Sequence, residues 1–345
     1  MLFLLAVVSI LSVAVIFYNL YANHRQKKIS LSRELLKNSI ESYLSGNLSA
    51  AALEKIILSQ RGALVSILAQ MGASANPGYR ARLLALIPEC HCEFVINEEL
   101  ERLKSSNWLD RLNAMTYLPF IAPSRIITKL LLHGLEDEYL DVRLAAALSL
   151  SELGDPSSIK PIFTSLALQG SWPIERLIEI IQGFDDRAIP ILIQYLNDPA
   201  ASESGIQVAI AVLGHKKASS SITALTQFIT HTNLEIRVEA YRALGLIGDV
   251  STLPSILSGM LDDQWEVRAI CAKALKHFPG ALGISALQIG LTDKAWWVRF
   301  NCASSLGALG ADGRGALLQS LESPDRFARE ISQMILDQSH AKESA

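Results

Sequence analysis

The stretch DDQWEVRAICAKAL, residues 262–275, is echoed by TDKAWWVRFNCASSL, residues 292–306. A 31-residue offset aligns four identical positions, Val267 with Val298, Arg268 with Arg299, Cys271 with Cys302 and Leu275 with Leu306. Self-similarity at a fixed period of this length is the signature of an array of stacked supersecondary units. The period therefore decides the fold class before any single residue is considered.

The arginine of the Val-Arg pair marks the phase of the repeat along most of the chain. Successive markers are 30 to 33 residues apart, and the fifth position has glutamine instead of arginine. The marker positions are Arg80, Arg111, Arg143, Arg176, Gln207, Arg237, Arg268, Arg299 and Arg329. Before Arg80 the marker fades, although the sequence remains typical of helices.

Each repeat predicts two helices. In the second, apolar or small residues recur at i, i+4, i+7 and i+8, as in Val267, Cys271, Ala274 and Leu275, which places them on one helical stripe. Glycine follows this helix in several repeats, at Gly154, Gly214, Gly248 and Gly310, as is typical of helix C-termini. Proline lies near the start of the next helix, at Pro161, Pro190 and Pro254.

No strand pattern of comparable length is present, so the sequence predicts an all-α chain. A pair of helices cannot bury its own apolar stripe, but stacked neighbours can. We therefore expect a right-handed α-solenoid of about eight to nine helix pairs, preceded by one N-terminal transmembrane helix.

The segments DEYLDVRLAAALSLSELGD, residues 137–155, and TNLEIRVEAYRALGLIGD, residues 232–249, resemble HEAT repeats. The shared pattern is an acidic residue, then Val-Arg, a small residue four positions after the valine, and Ala-Leu-Gly. The resemblance implies HEAT-like repeats over 106–338, a divergent helical part of the solenoid over 31–105 and a flexible tail over 339–345. It also implies a solenoid that binds protein partners through its concave face or its ridges, although some relatives are lyases or DNA glycosylases.

The segment LFLLAVVSILSVAVIFYNLYA, residues 2–22, contains no charged side chain and is long enough to cross a bilayer core of ~30 Å. We interpret 1–22 as a transmembrane anchor and 23–30 as a basic juxtamembrane linker. Arg25, Lys27, Lys28 and Arg33 follow the segment, which favours a cytoplasmic solenoid on the inner membrane. If the segment were a cleaved signal or inverted, the solenoid would instead be periplasmic.

Composition and motifs argue against two classes of function, nucleic-acid binding and catalysis. The formal net charge of -3 over 345 residues argues against a nucleic-acid partner, which requires a dense basic surface. No nucleotide-binding, zinc-protease or serine-hydrolase motif is present, so we expect no catalytic residue and no cofactor. The segment GADGRG, residues 310–315, is interpreted as a turn between repeats.

The four cysteines indicate a reducing compartment rather than a disulfide framework. Cys90, His91 and Cys92 are the only metal-like cluster in the sequence, and without a second ligand pair they predict no metal site. Cys271 and Cys302 take positions that hold alanine in sister repeats, so we expect small buried apolar residues there.

The repeated arginines are too numerous for one active site. The family resemblance implies a structural ladder, in which each arginine bonds an acidic group or a carbonyl of the neighbouring repeat. Its predicted members are Arg111, Arg143, Arg237, Arg268 and Arg299.

A row of aromatic residues lies two to four positions before the markers. Its members are Trp108, Tyr139, Trp172, Trp265, Trp296 and Trp297. Two interpretations remain open: a partner-binding ridge, because Trp and Tyr dominate interface energetics, or staples that pack against their own helices.

These observations predict a membrane-anchored scaffold without catalysis of its own. It would dock protein partners, themselves membrane-associated, at the cytoplasmic face, with contact to the membrane through residues 2–22 and none to nucleic acid. The alternatives are an enzyme subunit of the lyase type that acts on a small ligand, and a periplasmic binding solenoid.

Overall fold

Helices are the only regular elements in the part of the chain that the structure describes. This computed structural model describes residues 26–27, 30–73, 75–122, 124–168 and 173–343. Within these ranges there are twenty α-helices, several short 3-10 turns and no strand, which confirms the all-α expectation there. The predicted anchor over 1–22 and Trp172 lie outside the described residues.

The helices are α1 (30–44), α2 (Ala50–Ser59), α3 (Arg61–Ala73), α4 (Pro77–Glu89), α5 (Phe94–Arg102), α6 (Trp108–Tyr117), α7 (Ser124–Gly134), α8 (Leu140–Leu153), α9 (Ile159–Leu168) and α10 (Ile174–Gln182). They continue with α11 (Ala188–Leu196), α12 (Glu203–His215), α13 (Ile222–Thr226), α14 (Leu234–Ile247), α15 (Leu253–Gly259), α16 (Trp265–Ala274), α17 (Ala281–Gly290), α18 (Trp296–Ala308), α19 (Gly310–Ser320) and α20 (Arg326–Glu343).

The marker positions fall in the even-numbered helices from α4 to α20, which we call second helices; the odd-numbered helices from α3 to α19 are first helices. A first and a second helix make one repeat. The expected pairing of helices is thus present throughout the marked region, and α1 and α2 precede it.

The chain divides into two compact units, one up to Leu153 and one from Gly154. In the first unit α6 packs against α8. In the second unit the second helices form an unbroken series in which α10, α12, α14, α16, α18 and α20 each contact the next. Stacking of equivalent helices is the arrangement that a repeat needs to bury its stripe.

The buried stripes follow the predicted spacing. Val267, Cys271 and Leu275 of one repeat and Val298, Cys302 and Leu306 of the next are all fully buried. The expectation that Cys271 and Cys302 serve as small buried residues is thereby confirmed. In the first unit, helices α1 to α4 bury their own apolar residues, among them Leu36, Ile40, Leu53 and Leu64.

Membrane-spanning character is absent from the single helices of the described residues. None of them is both long and apolar enough to cross a bilayer. Helices α2 and α3 reach the required length and composition only together, and they are bent by 115° at the break between them.

The glycines after the second helices differ from the expectation at one position. Gly154, Gly248 and Gly310 have φ of 67° to 69°, the left-handed conformation that ends a helix. Gly214 instead lies inside α12, where an added Cβ would lie 2.6 Å from the Cα of Ala243, so its role is close helix packing. The left-handed residue of that repeat is Lys217, with φ of 51°.

Two further segments are more helical than expected. The segment GADGRG, interpreted above as a turn, forms the first turns of α19, because Gly310 alone completes the reversal after α18. Residues 339–343, expected as part of a flexible tail, are the last residues of α20.

We predict that Gly290→Ala lowers the free energy of unfolding by about 1–3 kcal/mol, because the added methyl would overlap the Sγ of Cys302 on the paired helix. Denaturant unfolding checks this value. Gly315→Ala is the control: nothing lies within 4 Å of its Cβ, and alanine there should stabilise by up to about 1 kcal/mol. Adding Cys302→Ala to Gly290→Ala should recover part of the loss, and equal stability of the two single variants would contradict the packing argument.

Candidate functional site

The turn that precedes each second helix brings together the candidate residues. A side-chain oxygen of Asp or Asn accepts a hydrogen bond from the backbone N–H two residues later. These bonds are 2.8 to 2.9 Å long at Asp137, Asn233, Asp262 and Asp293. At Asn233 the bond caps the start of α14, whereas at the three aspartates it closes a turn that ends at the residue before the helix.

The marker arginine closes the same turn from inside the helix. Its Nη1 donates to the carbonyls five and six residues earlier, at distances of 2.7 to 3.3 Å. This pattern recurs at Arg111, Arg143, Arg237, Arg268, Arg299 and Arg329. The bonds satisfy turn carbonyls that no regular element pairs.

The other side of the guanidinium reaches the turn aspartate of the following repeat. Arg111 Nε and Nη2 donate to Asp137 at 2.7 and 3.0 Å, and Arg268 donates likewise to Asp293 at 2.7 and 2.9 Å. Arg237 approaches Asp262 more loosely, at 3.7 Å. Two parallel N–H donors facing one carboxylate give both strength and a defined orientation.

The other two predicted ladder members differ in their surroundings. Arg143 is buried, and the residues that follow in the next turn, 169–172, lie outside the described residues. Arg299 faces a repeat with Pro324 at the aspartate position, and its guanidinium instead lies 4.8 Å from the centre of the Phe327 ring. The same arginine position thus serves an ion pair or a cation–π contact.

The ladder shifts the pKa values of its members. Burial alone raises the pKa of Asp293, but the hydrogen bonds from Arg268 and from the Ala295 N–H and the nearby positive charges outweigh it, so the net pKa is lowered. Asp137 behaves in the same way beside Arg111. The hydrogen bond to Asp293 in turn raises the pKa of Arg268. Both partners are therefore charged at neutral pH.

The aromatic row lies on these turns. Trp265 and Trp296 are the first residues of α16 and α18, and 40% and 47% of their surface is exposed; Trp297 is 53% exposed. In the first unit, half-buried Trp108 stacks on Tyr139 with ring centres 5.7 Å apart. The described members of the row are thus partly exposed rather than fully buried, and Trp108 and Tyr139 also contact each other.

The densest part of the row is at the start of α18. Trp296 stacks on Phe300 one helical turn later, with ring centres 5.1 Å apart and an interplanar angle of 14°. Trp297 meets both rings edge-on, at 4.7 and 6.2 Å. These rings hold one another in place while about half of each tryptophan remains exposed, which is a rigid amphipathic surface of the kind that interfaces use.

Phe327 extends the row and was missed by the sequence analysis. It lies 31 residues after Trp296, itself 31 residues after Trp265, and is 56% exposed beneath the guanidinium of Arg299. The 31-residue period places Phe327 in the row, but the predicted row included only Trp and Tyr. We use "aromatic ridge" for Trp265, Trp296, Trp297, Phe300 and Phe327.

The cysteine cluster offers poor chemistry for a metal. Cys90 and Cys92 are both buried, and burial raises the pKa of their thiols to about 11 and about 12, which disfavours the thiolate that a metal binds. His91 between them points to solvent. Among the described residues there is no group of three or more His, Cys, Asp or Glu placed to hold a metal ion.

Comparison with known proteins supports the repeat interpretation for part of the chain. The family model described as HEAT repeats matches residues 189–276, from α11 to α16 and the turn after it. No curated protein matches the chain significantly. The chain is therefore similar to HEAT repeats over this stretch, and its stacked helix pairs agree with that class.

Similar solved structures include Kap121p bound to Pho4p, with 15% identity over 88% of this chain and 41% of that chain and a TM-score of 0.47. The complex of CpcE and CpcF of phycocyanin lyase from Nostoc sp. has 16% identity over 70% of this chain and 94% of that chain, with a TM-score of 0.33. Human deoxyhypusine hydroxylase has 18% identity over 62% and 96%, with a TM-score of 0.29.

We predict that Arg268→Gln lowers the free energy of unfolding by about 2–3 kcal/mol, because it leaves a half-buried carboxylate and two turn carbonyls without their donor. Arg299→Gln loses the same kind of turn bonds and the contact with Phe327 but no carboxylate partner, so it should cost about 1 kcal/mol less. Denaturant unfolding of both variants gives the comparison. Equal losses would mean that the Asp293 pair contributes no more than the Phe327 contact.

The same pair has a defined pH dependence. Because the pKa of Asp293 is lowered in the folded state, its stabilisation is present above the ordinary carboxyl pKa of about 4 and is lost as pH falls through the folded value. The stability difference between the unaltered protein and Asp293→Asn should therefore shrink on acidification below that point. A difference that stayed constant would contradict this origin.

Proposed function

We propose that the protein is a scaffold that docks protein partners on its aromatic ridge, at the cytoplasmic face of the membrane to which its N-terminal segment anchors it, without catalysis of its own. The observation that carries the proposal is the exposure of Trp265, Trp296 and Trp297 on consecutive repeats. A tryptophan that served only as a staple would be mostly buried by its own helix. Half-exposed tryptophans in a mutually packed cluster are typical of interface anchors instead.

The arginine ladder supports this proposal through rigidity. Arg268 holds the turn before Trp265 and the turn before Trp296 at the same time, because it bonds carbonyls of the first and the carboxylate of the second. Arg299 extends the series to Phe327. A partner would thus meet rings whose spacing is already fixed, which reduces the entropy lost on binding.

Attachment to the membrane rests on residues 2–22 and on the basic residues that follow. An uncharged segment of this length favours a bilayer span, and Lys27 and Arg33 lie on the side that positive charge keeps in the cytoplasm. Anchoring would confine the scaffold and a membrane-associated partner to one surface and so raise their effective concentration.

We predict that Trp265→Ala with Trp296→Ala and Trp297→Ala abolishes crosslinking to a specific membrane partner in native membranes. The matched control replaces three exposed aliphatic residues of the same unit outside the ridge, Leu261, Leu282 and Ile289, with alanine. Both variants must unfold at the same denaturant concentration as the unaltered protein within error. If both variants capture the same partner, the tryptophans are packing residues; if the unaltered protein captures none, the scaffold proposal fails.

We also predict that the full chain stays in the membrane pellet after alkaline carbonate extraction, whereas a chain without residues 2–22 is released. The hydrophobic segment is the physical reason, since the described helices offer no other single span. Protease added outside the inner membrane should leave the solenoid intact. A mature N-terminus beyond residue 22, or digestion from outside, would favour the periplasmic alternative.

A further inference from the structure

A small cleft in the second unit lies away from the aromatic ridge, between the C-terminal ends of α12, α14 and α16. It has a volume of about 200 Å³. Its floor is apolar, with half-buried Leu246 and Ile270 beside buried Ala274. A space of this size accommodates about one aliphatic side chain and its neighbours along a peptide.

The polar side chains on the rim of the cleft are all Arg, Lys or His. Its polar members are His215, Arg242, Lys273, Lys276 and His277, and no acidic residue lines it. Arg242 pairs with buried Glu239, but within the described part of the chain Lys273 and Lys276 have no carboxylate partner. Exposed ammonium groups around an apolar floor make a surface complementary to an anion that carries an aliphatic group.

A further lysine lies near the cleft, in the turn after α12. Lys217 holds a left-handed conformation, φ 51°, at the position where the next repeat has Gly248, 31 residues later. A non-glycine residue there is strained, so glycine would be the more stable choice. Burial, then the charges of Lys276 and Lys217, lower the pKa of His277. Lys276 and His277 line the cleft, and Lys217 adds positive charge from outside its lining.

The helix dipole does not explain the cluster by itself. Cations are favoured at helix C-termini, where carbonyl groups are unpaired. However, α18, which ends one repeat further on, has no basic residue in its last turn. Lys273, in the last turn of α16, and Lys276, just after it, are therefore not a feature that every second helix shares.

The same helix faces become acidic towards their N-termini. Glu235 and Glu239 share a face of α14 with Arg242, because they are seven and three residues before it, and Glu266 precedes Lys273 by seven residues on α16. Glu239 is buried, but a continuous polyanion such as nucleic acid, or an anionic membrane, would meet exposed Glu235 and half-buried Glu266. A short peptide with localised negative charge would not.

We propose that this cleft binds an acidic peptide segment of a protein partner, with an aliphatic side chain on Leu246 and Ile270 and carboxylates at Lys273 and Lys276. The site shares no residue with the aromatic ridge, so it stands independently of the function proposed above.

The first test uses the full chain and a fluorescent, end-blocked Glu-Glu-Leu-Glu-Glu peptide, followed by anisotropy at low and at physiological salt. Gln-Gln-Leu-Gln-Gln is the matched peptide. We expect the glutamate peptide to bind at least about tenfold more tightly, with an advantage that falls as salt rises. Absence of binding, or equal binding of the two peptides, would overturn the proposal.

Variants then locate the binding. Lys273→Gln and Lys276→Gln should each weaken the glutamate peptide about three- to tenfold, whereas Lys294→Gln, which removes an exposed lysine from the turn before α18, should not. The triple tryptophan variant should bind this peptide normally, which separates the cleft from the ridge. Lysine variants that bind as well as the unaltered protein would overturn the assignment.

The variant Lys217→Gly distinguishes the effect of the lysine charge on peptide binding from its effect on protein stability. Glycine relieves the left-handed strain, so the unfolding midpoint should rise while the peptide affinity falls. The NMR-measured pKa of His277 should rise when the peptide binds, because an anion offsets the neighbouring positive charges. Vesicles of anionic lipid or inorganic phosphate that bound through Lys273 when the peptide did not would assign the cleft to another ligand.

Discussion

The second unit depends on the turn that each marker arginine closes with its own carbonyls, a contact that Arg268 extends to the turn aspartate of the next repeat. Its geometry is clearest where Arg268 bonds two carbonyls of its own turn and the carboxylate of Asp293. Apolar burial drives the helices together but is non-directional, and by itself it would tolerate sliding. The bidentate pair adds direction, because it is satisfied only when adjacent turns are in register.

Fixed turns explain why the candidate interaction surface lies where it does. The aromatic residues precede the marker by a few positions, so each ring is placed by the same turn that the arginine closes. Where Pro324 replaces the aspartate, Arg299 covers Phe327 and the row continues through a different contact. The second helices thus differ at their two ends. Aromatic residues lie at the starts of α16, α18 and α20, and basic residues surround the cleft at the ends of α12, α14 and α16.

Particular residues show how far the sequence could be followed. The 31-residue offset was enough to predict paired helices and buried Cys271 and Cys302. The family resemblance implied that the arginines bond the neighbouring repeat, as Arg268 does at Asp293, but the carbonyls they bond belong to their own turn. Gly214 was misassigned as a helix end because sequence cannot distinguish a glycine required by φ from one required by the approach of Ala243. The segment at 310–315 was wrongly predicted as a turn because it is rich in glycine. Only Gly310 reverses the chain, and the residues after it begin α19.

The sequence by itself determined the period, the helical class and the apolar stripe, because these depend on residue spacing along one helix and on its need for a neighbour. Tertiary structure alone decided which side chains remain half exposed, which aspartate each arginine meets, and that Arg242, Lys273 and Lys276 border one cleft. Those properties depend on distances between repeats. Residues some 30 or 60 positions apart become neighbours only when equivalent helices stack, and no local pattern encodes the angle at which they do so.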